Sequence, residues 1–338
     1  MLRFRTILLA VALGTLATAC SGQAPTGLFP EIEPFDSGHL RVSDLHEIYW
    51  ERCGNPEGKP VMALHGGPGV GSYPRLRQYF DPEKFHIVLH DQRGTGRSRP
   101  AGETRENTTP ELVADIERLR QHLELGEAVI FGGSWGSTLA LAYAETYPDH
   151  VTAMVLRGIF AGTREEVDHH YLGARRFFPR MHAELLATLP DPDRRPLPAY
   201  LLEMIRSSDP GQRDKTLMAL ARFELRMSSL RVSDEMLDQI LAQYPAEAML
   251  PITGIDLHYV TNRYFLEEGQ LYRDAGKIAH IPVTLINGRY DVVCPPLAAY
   301  RLHRLLPKSQ LVIVERAGHS EREEGITAAL IAAVAELE

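Results

Sequence analysis

The sequence has few cysteines, no excess of basic residues and no apolar run long enough for a comfortable membrane-spanning helix. Three cysteines among 338 residues do not support the disulfide framework of a small secreted domain. Neither a CxxC nor an HExxH pattern occurs, so we predict no metal site and no cofactor. With 36 basic and 44 acidic residues the formal net charge is −8, which argues against nucleic acid as a partner.

The first residues have the outline of a leader for export. Arg3 and Arg5 precede the nearly apolar run Thr6–Leu16, which ends in small residues. This pattern is typical of a bacterial secretory signal, and the run is too short to span a bilayer comfortably. The stretch around Cys20 resembles a bacterial lipoprotein cleavage site, where the cysteine is lipidated and becomes the new N-terminus. We therefore expect an exported protein, periplasmic or attached to the membrane through Cys20; cleavage after Ala19 and an uncleaved helix are alternatives.

Most of the remaining chain alternates between compact apolar runs and helical periods. Runs such as Phe85–Leu89 and Ala128–Phe131 alternate with helical segments such as Thr109–Leu123. This alternation predicts an α/β protein in which a mostly parallel sheet carries helices on both faces. Two earlier runs, Leu40–Val42 and His46–Cys53, alternate as an antiparallel pair would.

The alternation is interrupted by one long segment of helices and loops. We therefore divide the chain into a signal peptide (1–20), a tether (21–34), a sheet domain in two parts (35–159 and 278–338) and an inserted helical cap (160–277). An insertion at the carboxyl ends of parallel strands lies over the place where such sheets bind ligands, so we expect the cap to form a lid.

The strongest catalytic signal is a glycine-rich turn between a predicted strand and a predicted helix. The run Gly132–Gly136 reads Gly-Gly-Ser-Trp-Gly. In this position a G-x-S-x-G turn is the nucleophile elbow of the α/β-hydrolase fold, which lifts the serine above the sheet. The start of the following helix favours developing negative charge. We predict Ser134 as the nucleophile; the alternative is a glycine-rich turn with a structural serine.

Two later loops supply the base and the acid that a serine nucleophile needs. In this fold the chain order is serine, acid, histidine. Asp291 and His319 follow Ser134 in that order, each on a loop behind a predicted strand. We expect His319 to take the serine proton, and Asp291 to fix the imidazole tautomer and stabilise the imidazolium.

Two segments are candidates for the donors that stabilise an oxyanion. The run His65–Gly69 follows a predicted strand, at the position of the loop that supplies one backbone N–H in this fold. We predict Gly66, Gly67 and Trp135 as the oxyanion residues. The loop Asp91–Ser98 lacks the spacing of a phosphate-binding loop, and we interpret it as a structural loop bordering the site.

Together these motifs resemble those of the proline iminopeptidases, which are serine exopeptidases of the α/β-hydrolase fold. The resemblance runs from about Phe35 to the C-terminus and is most specific in the run Gly132–Ala142. It implies removal of an N-terminal residue, typically proline, from peptides. It also implies that Cys294 lies near the site.

Such an enzyme must hold a cationic α-amino group, a task suited to a pair of carboxylates. The resemblance assigns this role to Glu224 and Asp256 in the predicted cap. Leu220–Phe223 stands where the family has W-x-x-W, and Asp256 is one carbon shorter than the family's glutamate. Without the resemblance, both acids would be interpreted as helix-surface residues.

The resemblance also places four residues in the substrate pocket. Phe160 and Arg157 match the family, whereas His170 and Val260 stand where the family has aromatic residues. An apolar pocket discriminates by about 1–3 kcal/mol per methylene-sized change. The altered walls are therefore expected to widen or shift the preference for proline.

Two other functions remain open on the sequence alone. An esterase, lactonase or amidase would use the same scaffold, because a fold does not fix its substrate. A non-catalytic binding protein is a further alternative, against which the complete triad and oxyanion loop argue. The expected partner is a peptide or small-molecule substrate, and the sequence gives no indication of oligomeric state.

Overall fold

The computed structural model describes residues 27–338. The predicted signal peptide, Cys20 and residues 21–26 of the predicted tether lie outside the described residues. Within the described part, the chain forms these strands: β1 (Asp36–Arg41), β2 (Glu47–Gly54), β3 (Lys59–Leu64), β4 (Phe85–His90), β5 (Ala128–Gly133), β6 (Val151–Arg157), β7 (Val283–Gly288) and β8 (Ser309–Val314).

The strands form a single sheet in the order β1-β2-β4-β3-β5-β6-β7-β8. Strand β2 pairs antiparallel with β1 and with β4, and the pairings from β4 to β8 are parallel. Every residue of β4 is buried, as expected for a parallel strand covered on both faces. The predicted mostly parallel sheet, with an antiparallel pair at its start, is confirmed.

The sheet order reverses direction at β3, which lies between β4 and β5. The chain runs from β3 outward to β4 and then returns to the other side of β3 with β5. Ligands of open α/β sheets bind outside the carboxyl ends of the strands at such a switch point. The loops that follow β3, β4 and β5 therefore meet at this edge.

Helices cover both faces of the sheet, and each face has its own hydrophobic core. On one face, α1, α2 and α10 pack with residues such as Ile130; on the other, α11 packs with Val129 and Phe131. Successive residues of β5 point to opposite faces, so one strand contributes to both cores. These helices are α1 (Thr109–His122), α2 (Trp135–Thr146), α10 (Pro296–Leu305) and α11 (Glu324–Ala335). In the described part of the chain, no helix is long and apolar enough to cross a membrane.

The segment between β6 and β7 is helical. It contains α3 (Arg164–Asp168), α4 (Pro179–Leu186), α5 (Leu197–Ile205), α6 (Pro210–Ser228), α7 (Asp234–Leu241), α8 (Ala246–Thr261) and α9 (Gln270–Arg273). A π-helical turn, His169–Gly173, follows α3. We refer to this segment as the helical insertion.

The helical insertion touches several loops at the carboxyl edge of the sheet. A Cβ placed on Gly69, in the loop after β3, would lie 2.5 Å from the carbonyl oxygen of Ile252 in α8. Tyr259, also in α8, packs against Trp135 with ring centroids 4.9 Å apart. The backbone N–H of Leu230 donates to Glu323, in the loop after β8. The insertion therefore covers the edge where the sheet binds ligands.

The described end of the predicted tether is packed onto the sheet domain. Leu28, Phe29 and Ile32 lie against the core that contains α11. The backbone N–H of Phe29 donates to the carbonyl of Gln78 at 2.9 Å, and the Arg77 guanidinium donates to the carbonyl of Ile32 at 2.8 Å. The prolines of this segment predict a linker, but its three apolar side chains gain more from burial than from solvent exposure.

Candidate active site

Ser134 lies on a strained turn between β5 and α2. Its backbone dihedrals are φ 57° and ψ −128°, a region that a residue with a side chain occupies only when its surroundings enforce it. The flanking glycines allow the close approach: a Cβ on Gly132 would clash with the carbonyl of Gly136, and a Cβ on Gly136 with that of Leu64. Ser134 is half-buried, so its side chain can be reached by a ligand. This is the geometry of a nucleophile elbow.

His319 and Asp291 form a buried hydrogen-bonded pair on the loops after β8 and β7. His319 Nδ1 lies 2.8 Å from Asp291 Oδ2. The other carboxylate oxygen of Asp291 accepts the backbone N–H groups of Val293 at 3.0 Å and Cys294 at 2.7 Å. A Cβ on Gly158 would lie 2.9 Å from His319 Cε1, so glycine is needed for the ring to fit. The pair can hold Nδ1 protonated and leave Nε2 free to act as a base.

Arg157, at the end of β6, lies against the same histidine. Its Nη1 atom is 3.2 Å from His319 Nε2 and 2.9 Å from the His319 carbonyl oxygen. Its Nη2 atom is 3.5 Å from Glu321, which also accepts a 3.0 Å hydrogen bond from the Tyr73 hydroxyl. The sequence predicts Arg157 as a pocket residue, whereas these contacts direct its guanidinium to the imidazole.

The predicted oxyanion segments lie next to each other at the switch point. A Cβ on Gly66 would be 3.1 Å from the Gly133 carbonyl oxygen and 3.5 Å from Ser134 Cβ. In residues 27–338, neither the Gly67 N–H nor the Trp135 N–H donates to a protein acceptor. Trp135 is the first residue of α2, and the first N–H groups of a helix lack intrahelical partners. Two backbone donors are thus free beside the serine.

The two predicted carboxylates come together in the helical insertion. Burial, followed by the charge of Glu224, raises the pKa of Asp256 well above its usual range. The Tyr171 hydroxyl is 3.4 Å from Asp256 Oδ2, and His170 Nε2 is 3.9 Å from Glu224 Oε1. Two nearby carboxylates repel each other when both are ionised. A bound ammonium group would therefore stabilise the arrangement.

Tyr264 packs beside the elbow. Its ring packs against Trp135 at 5.6 Å and against Phe160 at 4.8 Å. Burial, then the charges of Asp256 and Cys294, raises its pKa well above the usual range. Tyr264 therefore lies between the first residue of α2 and a predicted pocket residue.

Two further predicted pocket residues are buried in this region. Val260 belongs to the core that also contains Phe160 and Tyr264. Cys294 is a buried free thiol, and burial, followed by the charge of Asp291, raises its pKa. Cys53, in contrast, is buried in the core on the other face of the sheet, which separates the two thiols.

Several of these contacts carry no signal in the sequence. Glu321 lies two residues after His319 in the sequence, whereas Tyr73 and Tyr264 come from distant segments. Tyr171 follows a predicted pocket residue directly, yet nothing in the sequence indicates which of two neighbours on a helical turn faces Asp256. Such roles depend on tertiary contacts.

The comparisons with known proteins agree with this geometry. A family model described as the alpha/beta hydrolase fold matches residues 59–324. The chain is 46% identical over 306 residues to a probable proline iminopeptidase of Leptolyngbya boryana, covering 90% of this chain and 94% of that protein. The chain belongs to the proline iminopeptidase family.

Other members of the proline iminopeptidase family are nearly as similar. Identity is 45% over 308 residues with a proline iminopeptidase of Xylella fastidiosa, covering 90% of this chain and 97% of that one. It is 43% over 310 residues with one of Arabidopsis thaliana, covering 90% and 80%. The predicted family is confirmed.

Solved structures agree on the fold. A Bacillus anthracis hydrolase of the alpha/beta fold family superposes with a TM-score of 0.60 at 18% identity, covering 89% of this chain and all (100%) of that one. An esterase from Exiguobacterium antarcticum gives 0.59 at 21% identity, covering 88% and 98%. Identity this low shows the fold alone, and the predicted α/β-hydrolase fold is confirmed.

Proposed function

We propose that the protein is a serine exopeptidase that releases N-terminal proline, or another small residue, from peptides. The observation that carries this function is the carboxylate pair, Glu224 and Asp256, in the helical insertion that covers the sheet edge with the histidine–aspartate pair and the strained serine. An esterase needs the serine machinery but has no use for two acids whose charges interact in the segment that covers the site. Membership in the proline iminopeptidase family supports the same conclusion.

In the proposed reaction Ser134 Oγ attacks the carbonyl carbon of the N-terminal residue. His319 Nε2 takes the serine proton and returns it to the leaving peptide nitrogen, while the Gly67 and Trp135 N–H groups stabilise the oxyanion. Water then attacks the ester on Ser134 by the same route and releases the free amino acid. Catalytic hydrogen bonds often form only with substrate bound, so we propose that Nε2 then exchanges Arg157 for the serine hydroxyl.

The carboxylates would determine that only a free N-terminus is accepted. A protonated α-amino group between Glu224 and Asp256 would compensate both charges and hold the first carbonyl of the peptide over Ser134. An N-acylated peptide has no positive charge and would leave the acids uncompensated, which is costly in a partly desolvated site. The apolar walls, including Phe160 and Val260, suit a small side chain or a proline ring.

The proposed binding of the α-amino group by Glu224 and Asp256 can be tested with three substrates. We expect the protein to hydrolyse a proline arylamide, and to hydrolyse N-acetylproline arylamide far more slowly. Glu224→Gln should raise KM for the free-amine substrate about 10- to 100-fold, matching the roughly 1.5–3 kcal/mol of a hydrogen bond to a charged group. Hydrolysis of a short acyl ester should be unchanged.

Asp214→Asn is the matched control, because Asp214 lies on the same helix, α6, in an ion pair with Arg213. This variant should behave as the wild type on all three substrates. Cleavage of esters without cleavage of any free-amine substrate would refute the peptidase function. Equal losses on amine and ester substrates in Glu224→Gln would refute binding of the α-amino group by Glu224.

We also propose that the protein is exported and attached to the membrane by lipidation of Cys20. Support comes from the order of basic, apolar and small residues before that cysteine. Cells grown with labelled palmitate should incorporate the label into the wild type and not into Cys20→Ala. Labelling that survives this substitution would refute lipidation at Cys20.

A further inference from the structure

Gln92 connects the two chain segments that carry the free N–H groups. It is buried in the loop after β4. Its side-chain amide nitrogen donates to the carbonyl oxygen of His65 at 3.0 Å, and its side-chain oxygen accepts the indole N–H of Trp135 at 2.8 Å. One side chain thus bonds to the loop after β3 and to the residue that follows the nucleophile.

The backbone of Gln92 strengthens the first of these connections. Its N–H donates to His65 Nε2 at 3.1 Å, and His65 Nδ1 lies 2.8 Å from the Gly66 carbonyl oxygen. Burial lowers the pKa of His65 and favours the neutral ring; because Nε2 accepts from the Gln92 N–H, the ring proton is on Nδ1, facing the Gly66 carbonyl. In a trans peptide the carbonyl and the next N–H point in opposite directions, so fixing the Gly66 carbonyl also fixes the Gly67 N–H.

We propose that Gln92 is a positioning residue that holds the two oxyanion donors at a fixed separation. This inference rests on the proposed reaction, because it concerns the oxyanion that forms when Ser134 attacks. Preorganised donors act on charge that develops only in the transition state. Loss of the connection should therefore lower kcat and leave KM nearly unchanged.

Two variants separate the bonds of Gln92. Gln92→Met has a similar length and retains neither side-chain hydrogen bond. Gln92→Glu retains an acceptor for the Trp135 indole but has no N–H for the His65 carbonyl. We expect kcat to fall about 10- to 100-fold in Gln92→Met, because removal of an entire oxyanion donor costs about 10²–10³. In Gln92→Glu a carboxylate oxygen would face the His65 carbonyl oxygen, so kcat should fall at least as far.

A second measurement reports on the oxyanion without using the amine site. A fluorophosphonate reacts with an activated serine and places negative charge on a phosphoryl oxygen in its transition state. We expect the rate constant for labelling of Ser134 to fall by a factor similar to that for kcat. If the wild type is labelled but cleaves no free-amine substrate, the proposed function fails, and the labelling rates still test the role of Gln92.

Tyr143→Phe is the control for a purely structural role. Tyr143 lies on α2, the helix that starts at Trp135, and its buried hydroxyl bonds to Glu117 at 3.0 Å. Losing this bond should lower the Tm and leave kcat and labelling unchanged. Wild-type kcat and labelling rates in a folded Gln92→Met or Gln92→Glu would overturn the proposal. So would similar losses in Tyr143→Phe, or a wild type that is not labelled on Ser134.

Combining substitutions tests the path through the indole. If Gln92 acts through Trp135, then Gln92→Met should have a much smaller effect on the labelling rate in a Trp135→Phe background than in the wild type. If Gln92→Met lowers the labelling rate by the same factor in both backgrounds, the connection through the indole N–H is wrong.

Discussion

The site has a serine end, formed by Ser134, His319 and Asp291, and an amine end, formed by Glu224 and Asp256. The two ends differ in how well their carboxylates are hydrogen-bonded. Asp291 has three hydrogen-bond donors within 3.0 Å. In the amine end, Asp256 has a hydroxyl at 3.4 Å and Glu224 an imidazole at 3.9 Å. The serine end is built on loops at the sheet edge, and its acid, Asp291, is fully hydrogen-bonded without a ligand. The amine end lies in the helical insertion and would be completed by the substrate's charge.

The largest expected effect comes from removing the nucleophile at the serine end. Ser134→Ala should lower kcat by about 10⁴-fold or more, as loss of a triad nucleophile does, because no other hydroxyl lies on the strained elbow turn. Steady-state hydrolysis of a proline arylamide measures this. Calorimetric binding of a proline-containing inhibitor should be retained, and activity above one-tenth of the wild type would show that Ser134 is misassigned.

Asp291→Asn should have the second largest effect. An asparagine cannot accept all the donors that now surround the carboxylate, and it favours the wrong imidazole tautomer. A loss of about 10⁴-fold in kcat is expected by analogy with other triads. The check is kcat across pH in a protein whose circular dichroism matches the wild type. A variant with intact kcat would mean that another group orients His319.

Asp256→Asn tests the amine end. Because burial and Glu224 raise the pKa of Asp256, the free site takes up a proton more readily than an ordinary aspartate, and a bound ammonium would oppose that uptake. KM for free-amine substrates should therefore rise as the pH falls. In Asp256→Asn, KM should be about tenfold higher and less dependent on pH, the expected cost of a lost charged hydrogen bond.

The readout is the pH profile of KM, with ester hydrolysis as the internal control. Calorimetry in buffers of different ionisation enthalpy should also detect proton release on inhibitor binding by the wild type only. If the wild type and the variant have parallel KM profiles, Asp256 does not titrate on binding and the contrast between the two ends is wrong.

The smallest effect concerns a buried acid outside both ends. Both carboxylate oxygens of Glu145, on α2, lack a hydrogen-bond partner among the described residues. Burial, followed by Asp274, raises its pKa to about 8. The native state therefore keeps a proton that the unfolded chain loses above its ordinary pKa of about 4.5, and stability falls as the pH rises between these values.

Glu145→Gln should thus raise the Tm by a few degrees at pH 8–9 and change it little at pH 4. The exposed Glu127→Gln serves as the control and should shift the Tm little at either pH. Thermal unfolding monitored by circular dichroism measures both. A Tm gain at pH 4 as large as that at pH 8 would show that the proton on Glu145 is not the cause.

The sequence predicts the serine end better than the amine end. Ser134 can be assigned because the glycine spacing and the strand–turn–helix order are local properties, and the strands show as buried apolar runs. The role of Arg157 cannot be predicted, because it depends on how the end of β6 approaches a loop 162 residues later. Individual helices of the insertion are likewise set by packing against the sheet edge rather than by local pattern.

Composition also misleads where three apolar residues outweigh two prolines. Residues 28–34 have the prolines of a linker, yet Leu28, Phe29 and Ile32 dock on the core. The predicted tether is therefore shorter at its C-terminal end than its composition suggests.

The packing of Leu28 on the core limits how far the domain can lie from a lipid on Cys20. A chain reaches at most about 3.3–3.6 Å per residue, and eight peptide units separate Cys20 from Leu28. If Cys20 carries a lipid, the point where the domain is attached cannot lie more than roughly 30 Å from the membrane surface. The domain would then reach only substrates in the layer next to the bilayer.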